Sequence, residues 1–402
     1  MKQSRKKIFA CMVALLVSLV LILTGCSGSG NSDPVPEGSG ETTPAAADQS
    51  DTKDAPQIAG LTFTGVTPLQ YAQRFTIYNY EDGYAVLEID EGGTFLVVPE
   101  GKDVPTGLDE DIVVLQKPLN KIYLAATSAM SLFDAMDALG NIRMSGTQAS
   151  GWYVDNAVAA MEAGDIIYAG KYSAPDYETM IKEGCNLAIE STMIFHTPKV
   201  KEMIEDLGIP VLVDSSSYEE HTLGRTEWIK LYAVLVDKVD EADAFFNEQA
   251  KVIDDLKDFP NTGKTVVYFY VNSDGSIVIR NPKDYIAKMI DTAGGVYSFA
   301  DLKTDQTSSS IQITMEQFFA TASEADFMIY NAAIDTPISS ISELLSKDEM
   351  FSEFKAVKEG NVFTTGKSFY QATDVAAQMI MDMHIMITGG DLSQMTFLTK
   401  VE

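Results

Sequence analysis

Histidine, cysteine and arginine, the side chains that most often ligate metals, attack substrates or clamp anions, are scarce in this chain, which has 402 residues but three histidines and three cysteines. Cys11 and Cys26 belong to the N-terminal end. Cys185 alone is left for the globular body, so no intrachain disulfide is expected there. In Glu183-Gly-Cys-Asn-Leu-Ala-Ile189 it reads as a small buried hydrophobe before a strand, with no paired base to make it a nucleophile. His196 and His221 stand in loops and are the candidate metal ligands, whereas His384 lies in an apolar helical stretch. A dedicated zinc or manganese site needs three or four converging ligands, and two histidines are a weak start on one, so no metal ligand set is assigned. Arg280, at a strand end beside Asn281-Pro282, could clamp a carboxylate bidentately. Arg225 reads as a brace for its helix against Glu227.

Nucleotide and hydrolase motifs are absent. Gly360-Asn-Val-Phe-Thr-Thr-Gly366-Lys367-Ser368 places five residues between its glycines where a phosphate-cradling loop needs four, and Asp258 stands where Gly263-Lys264-Thr265 would need its first glycine. There is no His-Glu-x-x-His and no Gly-x-Ser-x-Gly. The residues point to binding without catalysis: not an enzyme, and with no intrinsic cofactor.

The elements that must position these residues alternate. Phe75–Tyr80, Tyr84–Ile89 and Thr94–Val98 read as antiparallel strands from their period of two and glycine breaks. After them strand and helix take turns. Strands are predicted at Ile122–Ala126, Asn186–Glu190 and Pro210–Asp214, with helices over Ala129–Gly140 and Val200–Gly208 closing on glycines that permit a left-handed cap. Helices follow at Glu227–Val236 and Val239–Phe259, the latter stopped by Pro260-Asn-Thr-Gly. A second unit has strands at Thr265–Tyr270, Phe327–Tyr330 and Asn361–Thr364, and helices near Tyr285–Ala293, Met315–Ala325 and Thr373–Thr388. Strands joined by crossover helices imply parallel sheets covered on both faces. A body of roughly 340 residues exceeds what one core usually organises, so two α/β lobes are expected.

In open α/β sheets ligands sit beyond the carboxyl ends of the strands. That rule selects loops rich in Trp, Tyr, Ser and Asn, and within them Trp152, Tyr153, Tyr172, His196, Tyr218, His221, Arg280 and Tyr370 as candidate ligand-binding residues. Aromatic faces with a few polar anchors suit large flat ligands. The glycine-flanked setting of Trp152 and Tyr153 predicts exposure, the alternative being two core aromatics.

The N-terminus supplies an address. Lys2, Arg5, Lys6 and Lys7 precede an apolar run from Ile8 to Leu23, the anatomy of a secretory signal and short for a stable span. Leu23-Thr24-Gly25-Cys26 looks like a bacterial lipobox, which implies removal of residues 1–25 and lipid on Cys26. Ser27 to Gln57 holds Gly, Ser, Pro, Thr, Ala and acids with no aromatic residue, and reads as a flexible tether. The chain carries 58 acidic and 29 basic residues, net −29, and loss of the four signal cations makes that about −33. Such a field keeps a surface protein soluble and excludes a phosphate-neutralising nucleic-acid patch.

Several stretches resemble the substrate-binding proteins that serve importers of ferric siderophores, haem and cobalamin, the class III periplasmic binding proteins. They are Lys117-Pro-Leu-Asn-Lys-Ile-Tyr-Leu, Leu207-Gly-Ile-Pro-Val-Leu-Val, Leu223-Gly-Arg-Thr-Glu-Trp-Ile-Lys-Leu-Tyr, Thr314-Met-Glu-Gln-Phe-Phe with Ala325-Asp-Phe-Met-Ile, and Phe354-Lys-Ala-Val-Lys-Glu-Gly-Asn-Val-Phe. The resemblance spans about residues 117–390, and residues 61–116 look like an extended version of the family's first hairpin. It implies two Rossmann-like lobes joined by a single long helix: signal 1–25, lipidated Cys and linker 26–60, first lobe 61–238, connecting helix 239–260, second lobe 261–402. It also implies a monomer, lipid-anchored at the outer face of the cell membrane, that captures an iron complex, haem or cobalamin between its lobes. An ABC permease with its ATPase would receive the ligand. Four arginines in a negative body suit haem, a corrinoid or a hydroxamate-like complex better than a triply charged ferric catecholate. The alternatives are a surface scaffold or adhesin of the same fold, or a binder of another solute or metal.

Overall fold

The computed structural model of the chain describes residues 55–306 and 308–402. The signal, the lipidation site at Cys26 and most of the tether lie outside the described residues. Five short strands open the fold: β1 (Phe63–Val66), β2 (Phe75–Tyr80), β3 (Ala85–Ile89), β4 (Gly93–Val98) and β5 (Ile112–Gln116), in one sheet of that order. The first four are antiparallel, as the period predicts for β2, β3 and β4, and β5 returns parallel to β4. Alternation along the strands splits the side chains between two faces. Phe75, Ile77, Leu87, Phe95 and Val97 face the main core, while Tyr78, Tyr80, Val86, Leu96 and Val98 form a small outer core with Ala55 and Ile58. The folded body therefore begins by Ala55, earlier than the expected Leu61, because the end of the linker supplies aliphatic cover for that outer face.

The first lobe's sheet is built from β6 (Ile122–Leu124), β7 (Ile142–Ser145) and β8 (Ile167–Tyr168), then, past a small hairpin of β9 (Gly170–Lys171) and β10 (Ala174–Pro175), β11 (Leu187–Ser191) and β12 (Val211–Asp214). Its order is β12-β11-β6-β7-β8 and every pairing is parallel, so all loops at the carboxyl ends share one edge. Helices α1 (Met130–Ala135), α2 (Asp155–Ala163), α3 (Tyr177–Glu183) and α4 (Pro198–Asp206) are the crossovers. Gly208 takes the left-handed conformation at φ 76°, as its place after α4 predicts. The first helix stops at Ala135, short of the expected Gly140, and Asp137 turns left-handed in its place at φ 53°.

Helix α5 (Thr222–Val236) starts five residues ahead of the sequence-based expectation because the His221 ring accepts from Leu223 N–H and caps it. It packs against α1 of the first lobe and against the helices of the second, and is buried from Thr222 to Leu235. Helix α6 (Val239–Asp254) leads into the second lobe. It stops before the expected Phe259 because Pro260 disfavours helical geometry in the residue before it. The chain tightens there into i−3 bonds at Leu256, Lys257 and Phe259.

The second lobe holds β13 (Thr265–Val271), β14 (Ile277–Arg280), β15 (Val296–Tyr297), β16 (Ser310–Ile313), β17 (Phe327–Tyr330), β18 (Val362–Thr365) and β19 (Leu398–Lys400). The order is β16-β14-β13-β17-β18-β19, with β15 also on β13. β13, β15, β17 and β18 are parallel; β14 and β19 run against them, and β16, antiparallel to β14, runs with them, so this sheet is mixed where a parallel one is expected. Helices α7 (Tyr285–Thr292), α8 (Met315–Ala322), α9 (Ile341–Lys347), α10 (Lys355–Lys358) and α11 (Ala376–Thr388) complete it. One apolar core runs from the inner face of the β1–β5 sheet through α5 into the second lobe.

Candidate functional site

The carboxyl ends of the first lobe's strands leave unusual side chains in solvent. Tyr153 follows β7, Tyr168 ends β8, Met193 and Phe195 follow β11, and Tyr218 follows β12; all are more than 40 % exposed, as is Ile334 beyond β17 of the second lobe. Exposed apolar side chains gathered on one edge mark a place where something apolar is to be covered. Across from them, the loop after β18 makes a two-bond contact between lobes: the Gln371 carboxamide accepts from Tyr153 N–H at 2.8 Å and donates to Gly151 C=O at 2.8 Å. A second crossing lies deeper, where Asp374 N–H donates to Ser131 Oγ at 3.4 Å. Beside the start of α5, a pocket of about 540 Å³ lies between Tyr218 and Arg74 on one side and Asn281, Tyr285 and Thr304 on the other.

The candidate residues divide between lining and support. Tyr153 and Tyr218 are exposed, His196 ends an exposed turn after β11, and Tyr172 is half-buried in the β9–β10 turn. Trp152 corrects its expectation: it is 4 % exposed, and its Nε1 donates to Ser145 Oγ at 3.0 Å and Thr147 C=O at 3.2 Å. The indole folds under its own loop and holds Tyr153 at the surface. His221 is likewise committed, since Nδ1 caps α5 and its ring stacks on Tyr71 at 4.4 Å. Burial, then Lys288, pulls its pKa down to about 4, so the imidazole is neutral at physiological pH. Among the described residues no three His, Cys, Asp or Glu side chains converge as metal ligands would. Cys185 is partly buried and its thiol is pushed up to about 11 by burial, as suits a packed hydrophobe.

Arg280 also departs from its expected role. Its fork is taken internally, Nε and Nη2 reaching the two carboxylate oxygens of Asp284 at 2.9 and 2.6 Å and Nη1 reaching Ser310 Oγ at 2.9 Å. A bidentate partner is present, but it is four residues along the chain. Tyr370 stands over this group, half-buried, its hydroxyl accepting from Asn331 Nδ2 at 2.7 Å and its ring centre 5.9 Å from Arg280 Cζ.

Helix α5 carries three charged residues into this boundary, which composition alone does not reveal. Glu227 does not pair with Arg225. Its carboxylate accepts from the N–H groups of Gln70, Tyr71 and Ala72 at 2.8–3.0 Å and from Lys230 Nζ at 3.1 Å. Glu219 takes the next two, Gln73 and Arg74, together with Trp228 Nε1. Two buried carboxylates thus hold five consecutive backbone donors and fasten the segment before β2 to α5 and the turn ahead of it. Arg225, 7 % exposed, lies over the Tyr285 ring at 4.2 Å, and neither a hydrogen bond nor an ion pair reaches its guanidinium among the described residues. Glu190, near the end of β11, is a second charged side chain with an unpartnered buried atom: neither carboxylate oxygen has a hydrogen-bond partner among the described residues, and burial raises its pKa from 4.5 to about 8.

Two lobes with facing strand ends and a buried helix between them define a two-lobed binding protein. The model of the family described as periplasmic binding protein matches residues 125–369, and the chain belongs to that family, with its class III fold. It is a solute-binding protein of the ABC-transporter type, in a family of binders and not of enzymes. The match begins just past β6, so the β1–β5 sheet lies outside it. Two uncharacterized lipoproteins of Methanocaldococcus jannaschii are similar: one is 26 % identical over 78 % of this chain and 80 % of its own length, the other 24 % identical over 96 % and 97 %. Among solved structures, a possible iron-binding, periplasmic solute-binding protein of Staphylococcus epidermidis superposes with TM-score 0.52 at 17 % identity, over 67 % of this chain and 99 % of that one. The periplasmic haem-binding protein HutB of Vibrio cholerae gives 0.53 at 14 %, over 64 % and 96 %. An Fe3+-hydroxamate transport protein of Saccharomonospora viridis gives 0.53 at 15 %, over 67 % and 93 %.

Proposed function

We propose that the interlobe cleft captures an iron complex, either a siderophore or haem, or else a cobalamin, and that the chain delivers it to an ABC permease and its ATPase while tethered by lipid on Cys26. The observation that carries this reading is the row of Tyr153, Tyr168, Met193, Phe195 and Tyr218 left exposed along one edge of a parallel sheet, with Ile334 on the other lobe. A large, partly apolar ligand covers that row, whereas a bare metal ion or a small sugar would leave it wet. The iron, haem and hydroxamate binders among the structural relatives support the same class. In this reading Tyr153, Tyr172, His196, Tyr218 and Tyr370 touch the ligand, while Trp152, His221 and Arg280 hold the walls that present them. A tether keeps the loaded protein at high effective concentration near its permease.

The test is a titration of the purified protein with haem, cyanocobalamin and a ferric hydroxamate, followed by tryptophan fluorescence and melting temperature. One of them is expected to bind at one per chain, with a melting temperature that rises with ligand excess and a weaker response in Tyr153→Ala. Silence from every ligand in both measurements would refute the reading.

A further inference from the structure

We propose that Glu219 is a positioning residue for the solute site: gripped by the segment that leads into the β1–β5 sheet, it holds the neighbouring Tyr218 at the cleft wall, so that structure outside the family match shapes the place where the solute is taken. This rests on the reading of Tyr218 as a residue that touches the solute.

Tyr218 has little of its own to keep it in place. It stands in the stretch 215–221 between β12 and α5, is 48 % exposed, and no hydrogen bond reaches its hydroxyl among the described residues. Its position is therefore set by its neighbours along the chain. Glu219 is 2 % exposed; Oε1 accepts from Arg74 N–H at 3.1 Å and from Trp228 Nε1 at 2.9 Å, and Oε2 accepts from Gln73 N–H at 2.9 Å. On the near side, Ser215 Oγ donates to Asp90 C=O at 3.5 Å, just past β3. On the far side, the His221 ring stacks on Tyr71 at 4.4 Å. The loop is thus gripped before, beside and beyond Tyr218. The gripping residues Tyr71, Gln73, Arg74 and Asp90 all precede the start of the family match at residue 125. A buried carboxylate with three donors on it cannot swing away without stranding them, so the backbone at Tyr218 is fixed with it. Gly224 permits the close approach: a Cβ there would stand 3.1 Å from Tyr71 C=O and 3.2 Å from Glu219 Oε2. The first turn of α5 has no room for a side chain where the segment and the carboxylate meet. Arg74 also lines the pocket that Tyr218 lines, so the grip and the cavity wall are one structure.

The experiment uses the full-length protein in detergent, grown with 3-fluorotyrosine, and assigns the Tyr218 fluorine resonance by its loss in Tyr218→Phe. Glu219→Ala is expected to move that resonance toward the position of free 3-fluorotyrosine. Glu219→Gln, which keeps one acceptor oxygen and serves if the first variant does not fold, should move it part of the way. Asp382→Ala is the control: this buried carboxylate of α11 likewise holds three backbone donors, Thr396 to Leu398, but in the second lobe. It should lower the melting temperature by a similar amount and leave the Tyr218 resonance in place. Affinity for whichever of haem, cyanocobalamin and the ferric hydroxamate binds then closes a double-mutant cycle. Tyr218→Ala and Glu219→Ala should each weaken it by roughly 5- to 10-fold, and the pair together no more than Tyr218→Ala alone. The proposal is overturned if the resonance is unmoved in both Glu219 variants, if Asp382→Ala moves it as far, or if the two losses of affinity multiply. A cargo bound equally well by wild type and Tyr218→Ala also overturns it and leaves the cargo reading standing. The reverse outcome is a resonance that moves in the Glu219 variants alone while none of the three ligands binds, which sinks the cargo reading and keeps the hold of Glu219 on Tyr218.

Discussion

Glu227 and Arg225 stand two residues apart on one buried helix and meet opposite surroundings. Around Glu227, three backbone N–H groups and an ammonium converge on one carboxylate. Around Arg225 there is an aromatic face and unbonded hydroxyls. A folded chain rarely leaves buried polar groups unpaired, because each lost bond costs about 1–3 kcal/mol. Glu227 is thus architecture, fastening the β1–β5 sheet to α5. The Arg225 guanidinium, by contrast, rests on the Tyr285 ring.

The largest test of this contrast is Glu227→Ala. It strands three backbone donors and Lys230, and should cost about 3–5 kcal/mol in denaturant unfolding. Amide exchange at Gln70 to Ala72 should quicken in parallel. A loss under about 1 kcal/mol would show that the carboxylate is as dispensable as a surface pair, and the contrast would fail.

Glu190 extends the comparison to the second orphan. Its folded pKa of about 8 exceeds the ordinary 4.5, so the folded state holds a proton that the unfolded chain gives up. The neutral acid's contribution to stability is complete below the unfolded pKa. It is lost as pH rises toward about 8, with a slope of at most about 1.4 kcal/mol per pH unit. Melting curves between pH 5 and 8 should fall more steeply for wild type than for Glu190→Gln. Parallel curves would mean that the carboxyl finds a partner in solution.

The smallest expected effect belongs to Gln371→Ala. Two neutral hydrogen bonds between lobes are worth about 0.5–1.5 kcal/mol each, and the Tyr153 amide should exchange faster while the melting temperature shifts little. An unchanged Tyr153 amide would show that the lobes are held by α5 and the core alone.

Much of this was legible in the sequence. Long apolar runs such as Thr265–Val271 and Val211–Asp214 declare buried strands, and Gly208 marks the end of its helix. The three or four residues of β1, β14, β16 and β19 are too few to show a period. Trp152 and Arg280 misled for a common reason. Residue type names the chemistry a side chain can do, whereas a partner a few residues away, Ser145 for one and Asp284 for the other, decides whether that chemistry stays free. Proximity along the helix suggests Arg225 as a partner of Glu227. Five backbone donors from residues 70–74, distant in sequence, took the nearby carboxylates instead, and no local pattern announces such a claim.

The most direct measurement is native mass spectrometry and absorption spectroscopy of the protein purified from its own cells. The account predicts one iron complex or corrinoid per chain, with its visible absorption, lost or much reduced when Tyr153→Ala and Tyr218→Ala are combined. Protein that carries a peptide or a sugar, or whose cargo is indifferent to both substitutions, would contradict it.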